Sequence, residues 1–164
     1  MRVQIDKEHP NIAKALAGTV VQVRMAAERQ GVGRRLMELV NVRSSQLNGC
    51  AQCLDLHVRQ ALEAGEDVQR LGVLPAWRES GLFDDVEQAA LEVAEAVTAG
   101  GHLDEETYAR VLGVLGEERF SLVAWIAVTI NAYNRVSVVS VHGPRGARAS
   151  PPDLRLSRRR WPRR

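Results

Sequence analysis

The sequence predicts an all-α fold, and three observations support this prediction. Apolar residues recur with the 3.6-residue period of an amphipathic helix over most of residues 11–141. The alternation of polar and apolar residues that marks strands is absent, apart from the short β-branched run 136–141. Capping and glycine signals divide the periodic region into lengths typical of helices. A chain of 164 residues is long enough to bury a sizeable core as one domain.

Three helices are predicted in the first part of the chain. The first covers residues 11–30, where the apolar residues share one face, and Gly31 provides a stop. The second covers residues 33–47 and repeats the same pattern. The third carries the clearest apolar stripe, with Asn48 as its predicted N-cap and Gly65 after its end.

The second part of the chain is predicted to hold three more helices. Residues 66–83 are interrupted by glycine and proline, which indicates a connection with at most a short helix. Asp84 and Glu87 then form a capping-box pattern. The last helix is apolar on most sides and is therefore predicted to be central and buried. The three predicted helices cover residues 84–99, 105–115 and 117–141.

The net charge of +2 is unevenly distributed. Residues 145–164 carry a net charge of +7, which leaves −5 for residues 1–144. We predict one helical domain over residues 1–144 and a disordered Arg/Pro-rich tail over residues 145–164. The mildly acidic body argues against a nucleic-acid-binding surface. Arginine-rich segments do bind phosphates, but a solvated terminus is the favoured interpretation of the tail.

The composition indicates a cytoplasmic protein. Two cysteines are too few for a secreted disulfide scaffold, which favours a reducing compartment. Residues 1–16 lack the apolar core of a signal peptide. The longest uncharged run, residues 120–134, is 15 residues long, whereas a membrane span needs about 20 apolar residues. We therefore expect no membrane association.

Both cysteines lie in the stretch NGCAQCLDLH, residues 48–57. Separations of three and four residues place Cys50, Cys53 and His57 on one helical face. Unpaired backbone N–H groups and the dipole at a helix start favour an anion, and the pKa of a C-x-x-C thiol there is commonly lowered. Such a pair can also form an internal disulfide after one thiol has been oxidised. Redox chemistry is the favoured interpretation.

Two other interpretations of the cysteine pair stay open. Cys50 and Cys53 could simply pack in the core, because free cysteine is often buried. Together with His57 they could also supply three zinc ligands, although no second knuckle is present. The fourth ligand would then be a carboxylate or one of the remaining histidines, His9, His102 and His142.

A longer pattern surrounds the cysteines and continues downstream. Its core is Glu38-Leu-Val-x-x-Arg43-x-Ser45-Gln46-x-Asn48-x-Cys50-x-x-Cys53-x-x-x-His57. Two further segments are Leu74-Pro75-x-Trp77-Arg78-Glu79-Ser80-x-Leu82-Phe83 and Asn131-x-Tyr133-Asn134-Arg135. Together they resemble the AhpD-like alkylhydroperoxidases of the carboxymuconolactone decarboxylase family, over most of residues 8–141.

This resemblance implies an AhpD-like helical bundle with the C-x-x-C at the start of a central helix, and reduction of hydroperoxides. By position, Cys53 would attack the peroxide and Cys50 would resolve the product as the Cys50–Cys53 disulfide. Glu38 and His57 would form a proton relay. Family members with decarboxylase activity lack the paired cysteines, which favours the peroxidase branch. Neither a cofactor nor a metal is implied.

The resemblance also implies partners. The substrate would be an organic hydroperoxide or hydrogen peroxide, and the electrons would come from a dithiol, a lipoylated protein being one candidate. A homo-oligomer is expected, as a hexamer built from a trimer of dimers, with a trimer as the alternative. Two other functions remain as alternatives: a non-catalytic or zinc-binding helical interaction protein, and a family enzyme that acts on another small substrate such as a lactone.

Two features depart from the resemblance or depend on it. The best-known members carry histidine between the cysteines, whereas this chain has Gln52, which cannot shuttle protons. Glu38 falls opposite the apolar stripe of its helix, so periodicity alone predicts a solvated side chain, although Val42 nearby allows a buried face. Arg43 and Gln46 are interpreted either as partners of a buried carboxylate or as residues at the edge of the stripe.

Overall fold

The computed structural model describes residues 2–144 and 146, and this part of the chain folds into helices without any strand. The all-α prediction is therefore confirmed. In chain order, the helices are α1 Ile5–Glu8, α2 Pro10–Arg29, α3 Arg34–Leu47, α4 Ala51–Glu63, α5 Val68–Val73, α6 Trp77–Ser80, α7 Asp85–Ala99 and α8 Glu105–Ser140, with a 3-10 turn at Leu74–Ala76 between α5 and α6.

Helices α3, α7 and α8 form the centre of the bundle. Helix α8 packs against α7, α3 and α2, while α3 also packs against α4 and α7. The contact between them contains small residues such as Ala90 and Ala94 of α7, beside Val40 of α3 and Val123 of α8, all fully buried. Small side chains allow close approach of the helix axes. This packing holds α3 and α8 in fixed positions relative to each other and to the cysteines.

The capping box at the start of α7 forms as predicted. Asp84 Oδ1 accepts a hydrogen bond from the Glu87 backbone N–H at 2.9 Å, and Glu87 Oε2 accepts one from the Asp84 N–H at 3.0 Å. These two bonds satisfy two donors that the first turn of a helix leaves without partners. Helix α7 therefore begins at Asp85.

The last two predicted helices are present and meet at a kink, and both are included in the element α8. Helix α8 runs from Glu105 to Ser140, and its backbone leaves helical geometry at Gly116, with φ 71° and ψ 163°. This positive φ favours glycine over residues with a side chain. The C-terminal part is central, as predicted, since Val123 and Ala127 are fully buried. One side of it is nevertheless exposed, including Trp125.

The segment 66–83 contains more helix than predicted, and this expectation is corrected. Its helices α5 and α6 have six and four residues, which is too short for a periodic pattern to be recognised. Tertiary contacts stabilise them instead. Arg70 binds Glu66 at 2.7 Å and Glu87 at 2.6 Å, and both carboxylates are buried.

Two other expectations concern the periphery. Helix α1 was not predicted, and it is held by a hydrogen bond from the Ile5 backbone N–H to Ser140 Oγ at 3.2 Å. The predicted tail, residues 145–164, lies outside the described residues apart from Gly146. None of the helices in the described part is both long and apolar enough to cross a membrane.

Candidate active site

The junction between α3 and α4 positions the two cysteines. Asn48 keeps helical φ and ψ and ends α3, and its backbone N–H donates to Ser44 O at 3.0 Å. Gly49, at φ 62°, then reverses the chain. Cys50 is extended and is the N-cap of α4, with its Sγ 3.3 Å from the Cys53 backbone N–H. The prediction of Asn48 as the N-cap is therefore wrong, because α3 continues through that position.

The cysteines are buried and joined to each other. They form a disulfide with a Cα–Cα distance of 5.3 Å, within the usual range for such bonds. Cys50 is 1% exposed and Cys53 is 5% exposed, and Ile130 and Tyr133 of α8 pack against them. The cysteines thus lie at the start of a helix and in a largely apolar environment. Because they are buried, a reactant has to reach their sulfur atoms through a space inside the protein.

A buried carboxylate–imidazole pair links α3 to α4. Glu38 Oε2 lies 2.7 Å from His57 Nδ1 and accepts a second hydrogen bond from Asn41 Nδ2 at 3.1 Å. Glu38 is only 1% exposed, so the periodicity-based prediction of a solvated glutamate is wrong. Helix α4 packs on α3 and covers the face that carries Glu38 and the fully buried Val42. The sequence of α3 alone does not show that another helix covers this face.

The orientation of this pair determines which imidazole nitrogen is available. Because Nδ1 of His57 faces Glu38, Nε2 is the nitrogen that can exchange a proton with another group. His57 follows Cys53 by four residues in α4, which places the two side chains one helical turn apart on the same face. The structure therefore brings the four predicted site residues into one region: Glu38, Cys50, Cys53 and His57.

An amide network holds the α3–α4 junction against α8. The Asn48 side-chain amide lies 2.8 Å from the Oδ1 atoms of both Asn131 and Asn134. Asn134 also donates to Ser45 Oγ at 3.1 Å, and Arg135 donates to Asn131 Oδ1 at 2.8 Å. The bonds of Asn48 and Ser45 to α8 join elements far apart in sequence, so they fix the position of the α3–α4 junction, and with it Cys50, relative to α8.

Two residues of α8 at the site were not predicted. The hydroxyl of Ser137 lies 3.7 Å from Cys53 Sγ, to which it can donate a weak hydrogen bond. Tyr133 packs on the cysteines and lines a cavity of about 50 Å³ together with His57. Burial raises the pKa of Tyr133 above its ordinary value, which keeps its hydroxyl protonated. Tyr133 belongs to the Asn131–Arg135 segment of the family pattern, which could have identified it. Ser137 lies one helical turn after Tyr133, outside that segment.

The structure does not support a zinc site. No three His, Cys, Asp or Glu side chains are grouped to hold a metal anywhere in the described ranges, 2–144 and 146. Nδ1 of His57 is engaged by Glu38, and His142 Nε2 lies 3.3 Å from Asp6. His57 Nδ1 and His142 Nε2 are thus each paired with a carboxylate rather than directed at the cysteines.

Arg43 is the partner of a carboxylate other than Glu38. Its Nε donates to Glu95 Oε1 at 2.7 Å, and its Nη1 donates to Gln46 Oε1 at 3.3 Å. Glu95 also accepts hydrogen bonds from Trp77 Nε1 at 2.9 Å and from Arg78 Nη1 at 2.6 Å. Arg43 and Gln46 thus take part in a structural cluster on α7 rather than in the group around His57.

Comparisons with known proteins give two matches at the level of sequence. The sequence profile of the carboxymuconolactone decarboxylase family matches residues 14–96. The uncharacterised protein YdfG of Bacillus subtilis is 36% identical over 113 residues, which is 68% of this chain and 77% of YdfG.

Solved structures share the fold. A protein of unknown function from Agrobacterium tumefaciens, described as a candidate AhpD antioxidant defence protein, superposes with a TM-score of 0.79 and 26% identity, over 87% of this chain and 97% of that one. The debrominase Bmp8 superposes with a TM-score of 0.74 at 20% identity, over 85% of this chain and 74% of Bmp8. The second likeness concerns the fold alone.

Proposed function

The chain belongs to the carboxymuconolactone decarboxylase family, and on this premise we propose that it is a thiol-dependent hydroperoxide reductase. The observation that carries the proposal is the buried Glu38–His57 pair one helical turn from a cysteine pair that forms a disulfide. A thiol next to a proton relay and a resolving thiol are what reduction of a peroxide needs.

In the first step, Cys53 loses its proton and attacks the terminal oxygen of the hydroperoxide. An S–O bond forms as the O–O bond breaks, so that the sulfur is oxidised to a sulfenic acid and the alkoxide leaves. Ser137 supports this assignment, because a hydroxyl 3.7 Å from Cys53 Sγ can donate to the thiolate.

The proton follows the path that the Glu38–His57 pair offers. His57 Nε2 takes the proton of the Cys53 thiol and returns one to the leaving alkoxide, which becomes an alcohol. Glu38 holds the imidazole through Nδ1 at 2.7 Å and stabilises its protonated form. Asn41 holds the Glu38 carboxylate in turn, at 3.1 Å.

In the second step, Cys50 resolves the sulfenic acid. The Cys50 sulfur attacks Cys53 Sγ, the S–O bond breaks, and the hydroxide leaves as water with the proton of Cys50. The product is the Cys50–Cys53 disulfide that the structure contains. An external dithiol then reduces this bond and is itself oxidised to a disulfide, which restores both thiols.

Peroxide consumption with a range of dithiol donors tests the proposal. Reduced protein should lose two thiols per chain after one equivalent of hydroperoxide, without release of metal. Turnover should then appear with dihydrolipoamide or a lipoylated protein domain. Thiol loss no faster than that of free cysteine would contradict the peroxidase function.

A counter-test uses a brominated pyrrole in place of the peroxide. The fold shared with Bmp8 is compatible with reductive removal of bromine, but at 20% identity it carries no further inference. We expect bromide release to be negligible and peroxide consumption to be rapid. The reverse result would assign another small-molecule substrate to the same cysteine pair.

A further inference from the structure

A cavity of about 410 Å³ lies beside the cysteine pair, between the N-terminal helices α1 and α2 and the end of α8. Its walls are mainly apolar, with Ile12 and Leu16 from α2 and Val136 from α8. Six polar side chains also line it. Asp6, His9 and His142 lie at its α1 end, and the other three belong to the region of the cysteines: Gln52, Tyr133 and Ser137. An apolar pocket of 300–1,000 Å³ with a few polar groups is typical of a small-molecule site.

The cavity offers a route to Cys53. Cys53 is only 5% exposed, so a peroxide has to approach it through a space inside the fold. Ser137 lines the cavity and lies 3.7 Å from Cys53 Sγ, which brings one wall of the cavity to the sulfur. A second space, on the His57 side of Tyr133, measures about 50 Å³ and has room only for water. A third, of about 340 Å³, is lined by Glu38 and by neither Tyr133 nor Ser137.

Gln52 contributes a polar atom that has no partner. Its Oε1 is buried and accepts no hydrogen bond from any residue that the structure describes. A buried polar atom without a partner is unfavourable, so a ligand that donates a hydrogen bond there is favoured. The hydroxyl of a hydroperoxide is such a donor. Gln52 also lies between Cys50 and Cys53, next to the reacting sulfur atoms.

The wall formed by α1 is tied to the end of α8. The Ile5 backbone N–H donates to Ser140 Oγ at 3.2 Å, and Asp6 lies 3.3 Å from His142. These two contacts hold the short helix over the cavity, which explains why an element of four residues is ordered there.

We propose that this cavity binds the organic part of a hydroperoxide, with Gln52 accepting a hydrogen bond from the peroxide hydroxyl beside Cys53. The inference rests on the proposed function and adds to it a binding site and its residues. The cavity should therefore stabilise the bound form of a substrate with an apolar body, because buried apolar area contributes about 25 cal/mol per Å² to binding. It should contribute little to the binding of hydrogen peroxide, which has no apolar body.

Filling the cavity tests this site. Val136→Trp and, independently, Leu16→Trp should lower kcat/KM for cumene hydroperoxide at least tenfold more than kcat/KM for hydrogen peroxide. Val114→Trp is the matched control, because Val114 is an exposed position of α8 that does not line the cavity. This variant should behave like the wild type with both peroxides. Gln52→Leu should lower kcat/KM for both peroxides, because the group it binds is common to them.

Binding of cumyl alcohol, the product of cumene hydroperoxide, provides a readout that is independent of turnover. NMR titration of the wild-type disulfide form should shift signals of residues around the cavity, and Val136→Trp should remove these shifts. Equal losses with both peroxides in the two tryptophan variants, or unchanged kinetics in both, would overturn the assignment of the cavity.

The same experiments separate this inference from the proposed function. If the wild type consumes neither peroxide, the proposed function fails, and the hydroperoxide assignment fails with it, whether or not cumyl alcohol binds. If both peroxides are consumed but cumyl alcohol does not bind, the proposed function stands and the cavity assignment is overturned.

Discussion

At the scale of single residues, one oxygen atom organises the proton relay. Oε2 of Glu38 accepts hydrogen bonds from both His57 and Asn41, in a position that is 1% exposed. These two hydrogen bonds hold the carboxylate in one orientation and couple it to the His57 ring. The proposed reaction uses this coupling each time a proton leaves Cys53.

The first prediction concerns Glu38→Gln. The amide can still accept a hydrogen bond from Nδ1, but it carries no charge to stabilise protonated His57, so the attack on peroxide should slow about 10²–10⁴-fold. Both thiols should remain present by thiol titration. Stopped-flow measurement of the single-turnover rate checks this.

Glu63→Gln is the control for Glu38→Gln. Glu63 lies in the same helix as His57, but its pair with Arg34 is at the surface, with 61% of the Glu63 side chain exposed. Its replacement should leave the rate of attack within twofold of the wild type. Equal rates for Glu38→Gln and the wild type would remove Glu38 from the relay.

The second prediction is an asymmetry between the two cysteines. Cys53→Ser should abolish the first reaction with peroxide, because the attacking sulfur is lost. Cys50→Ser should keep the first step and stop turnover, trapping a sulfenic acid on Cys53. Mass spectrometry after one equivalent of hydroperoxide, with a sulfenic-acid trap, distinguishes the two. A trapped sulfenic acid on Cys50 in Cys53→Ser, formed at the wild-type rate, would reverse the roles.

At the scale of elements, the short helices are stabilised by ion pairs and hydrogen bonds to other helices rather than by their own sequence. Glu95 of α7 binds Arg43 of α3, as well as Trp77 and Arg78 of α6. The Arg78 guanidinium also lies 4.2 Å from the centre of the Trp77 ring. This cluster explains how a helix of four residues holds its place against α3 and α7.

The third prediction concerns the pH dependence of this cluster. Burial alone would raise the pKa of Glu95, but the hydrogen bonds from Trp77, Arg78 and Arg43 outweigh it and lower the pKa below the ordinary value of 4.5. A carboxylate with a lowered pKa stabilises the folded state above pH 4.5, and this contribution is lost as the pH falls through the folded-state pKa.

Glu95→Gln should therefore lower the free energy of unfolding by about 1.5–3 kcal/mol at pH 7, and by progressively less below pH 4.5. Urea unfolding at several pH values measures the difference. Glu117→Gln, at an exposed position of α8, is the control and should have little effect. A constant difference between wild type and Glu95→Gln from pH 7 to pH 3 would contradict the lowered pKa.

At the scale of the whole molecule, α8 is the central helix and also presents apolar residues to solvent. Trp125 is 55% exposed and Val128 is 45% exposed on α8, and Val21 of the neighbouring α2 is 53% exposed. A groove of about 340 Å³ between α2 and α8 includes Trp125 in its walls. Exposed apolar surface of this kind is often covered by a second subunit.

The fourth prediction is a homo-oligomer, a hexamer or a trimer, formed in part through this face. Trp125→Glu should shift the protein to smaller species, because association would bury the introduced charge. Multi-angle light scattering at micromolar concentration measures the mass. Val68→Glu, at a position of α5 that is 70% exposed, is the control and should keep the wild-type mass. A wild-type mass near the 18.1 kDa of one chain would contradict the prediction.

The sequence by itself determined the helical class, most ends of the longer helices and the helical face shared by Cys50, Cys53 and His57. The signals for these features are local: the Asp84–Glu87 capping box, Gly116 between two periodic segments, and the spacing of Cys50, Cys53 and His57. Each depends on groups only a few residues apart, so it can be recognised in the chain. The family resemblance identified Glu38 as a candidate site residue, whereas periodicity alone predicted a solvated side chain.

Only the tertiary structure decided which side chains are brought to the cysteines. Glu38 is buried because α4 covers its side of α3, and Ser137 reaches Cys53 Sγ across 84 positions of the chain. Asn48 ends α3 instead of starting α4, and its side-chain amide donates to Asn131 and Asn134 of α8. Burial and hydrogen bonding of this kind depend on the faces that other helices cover, and no pattern within one helix records them.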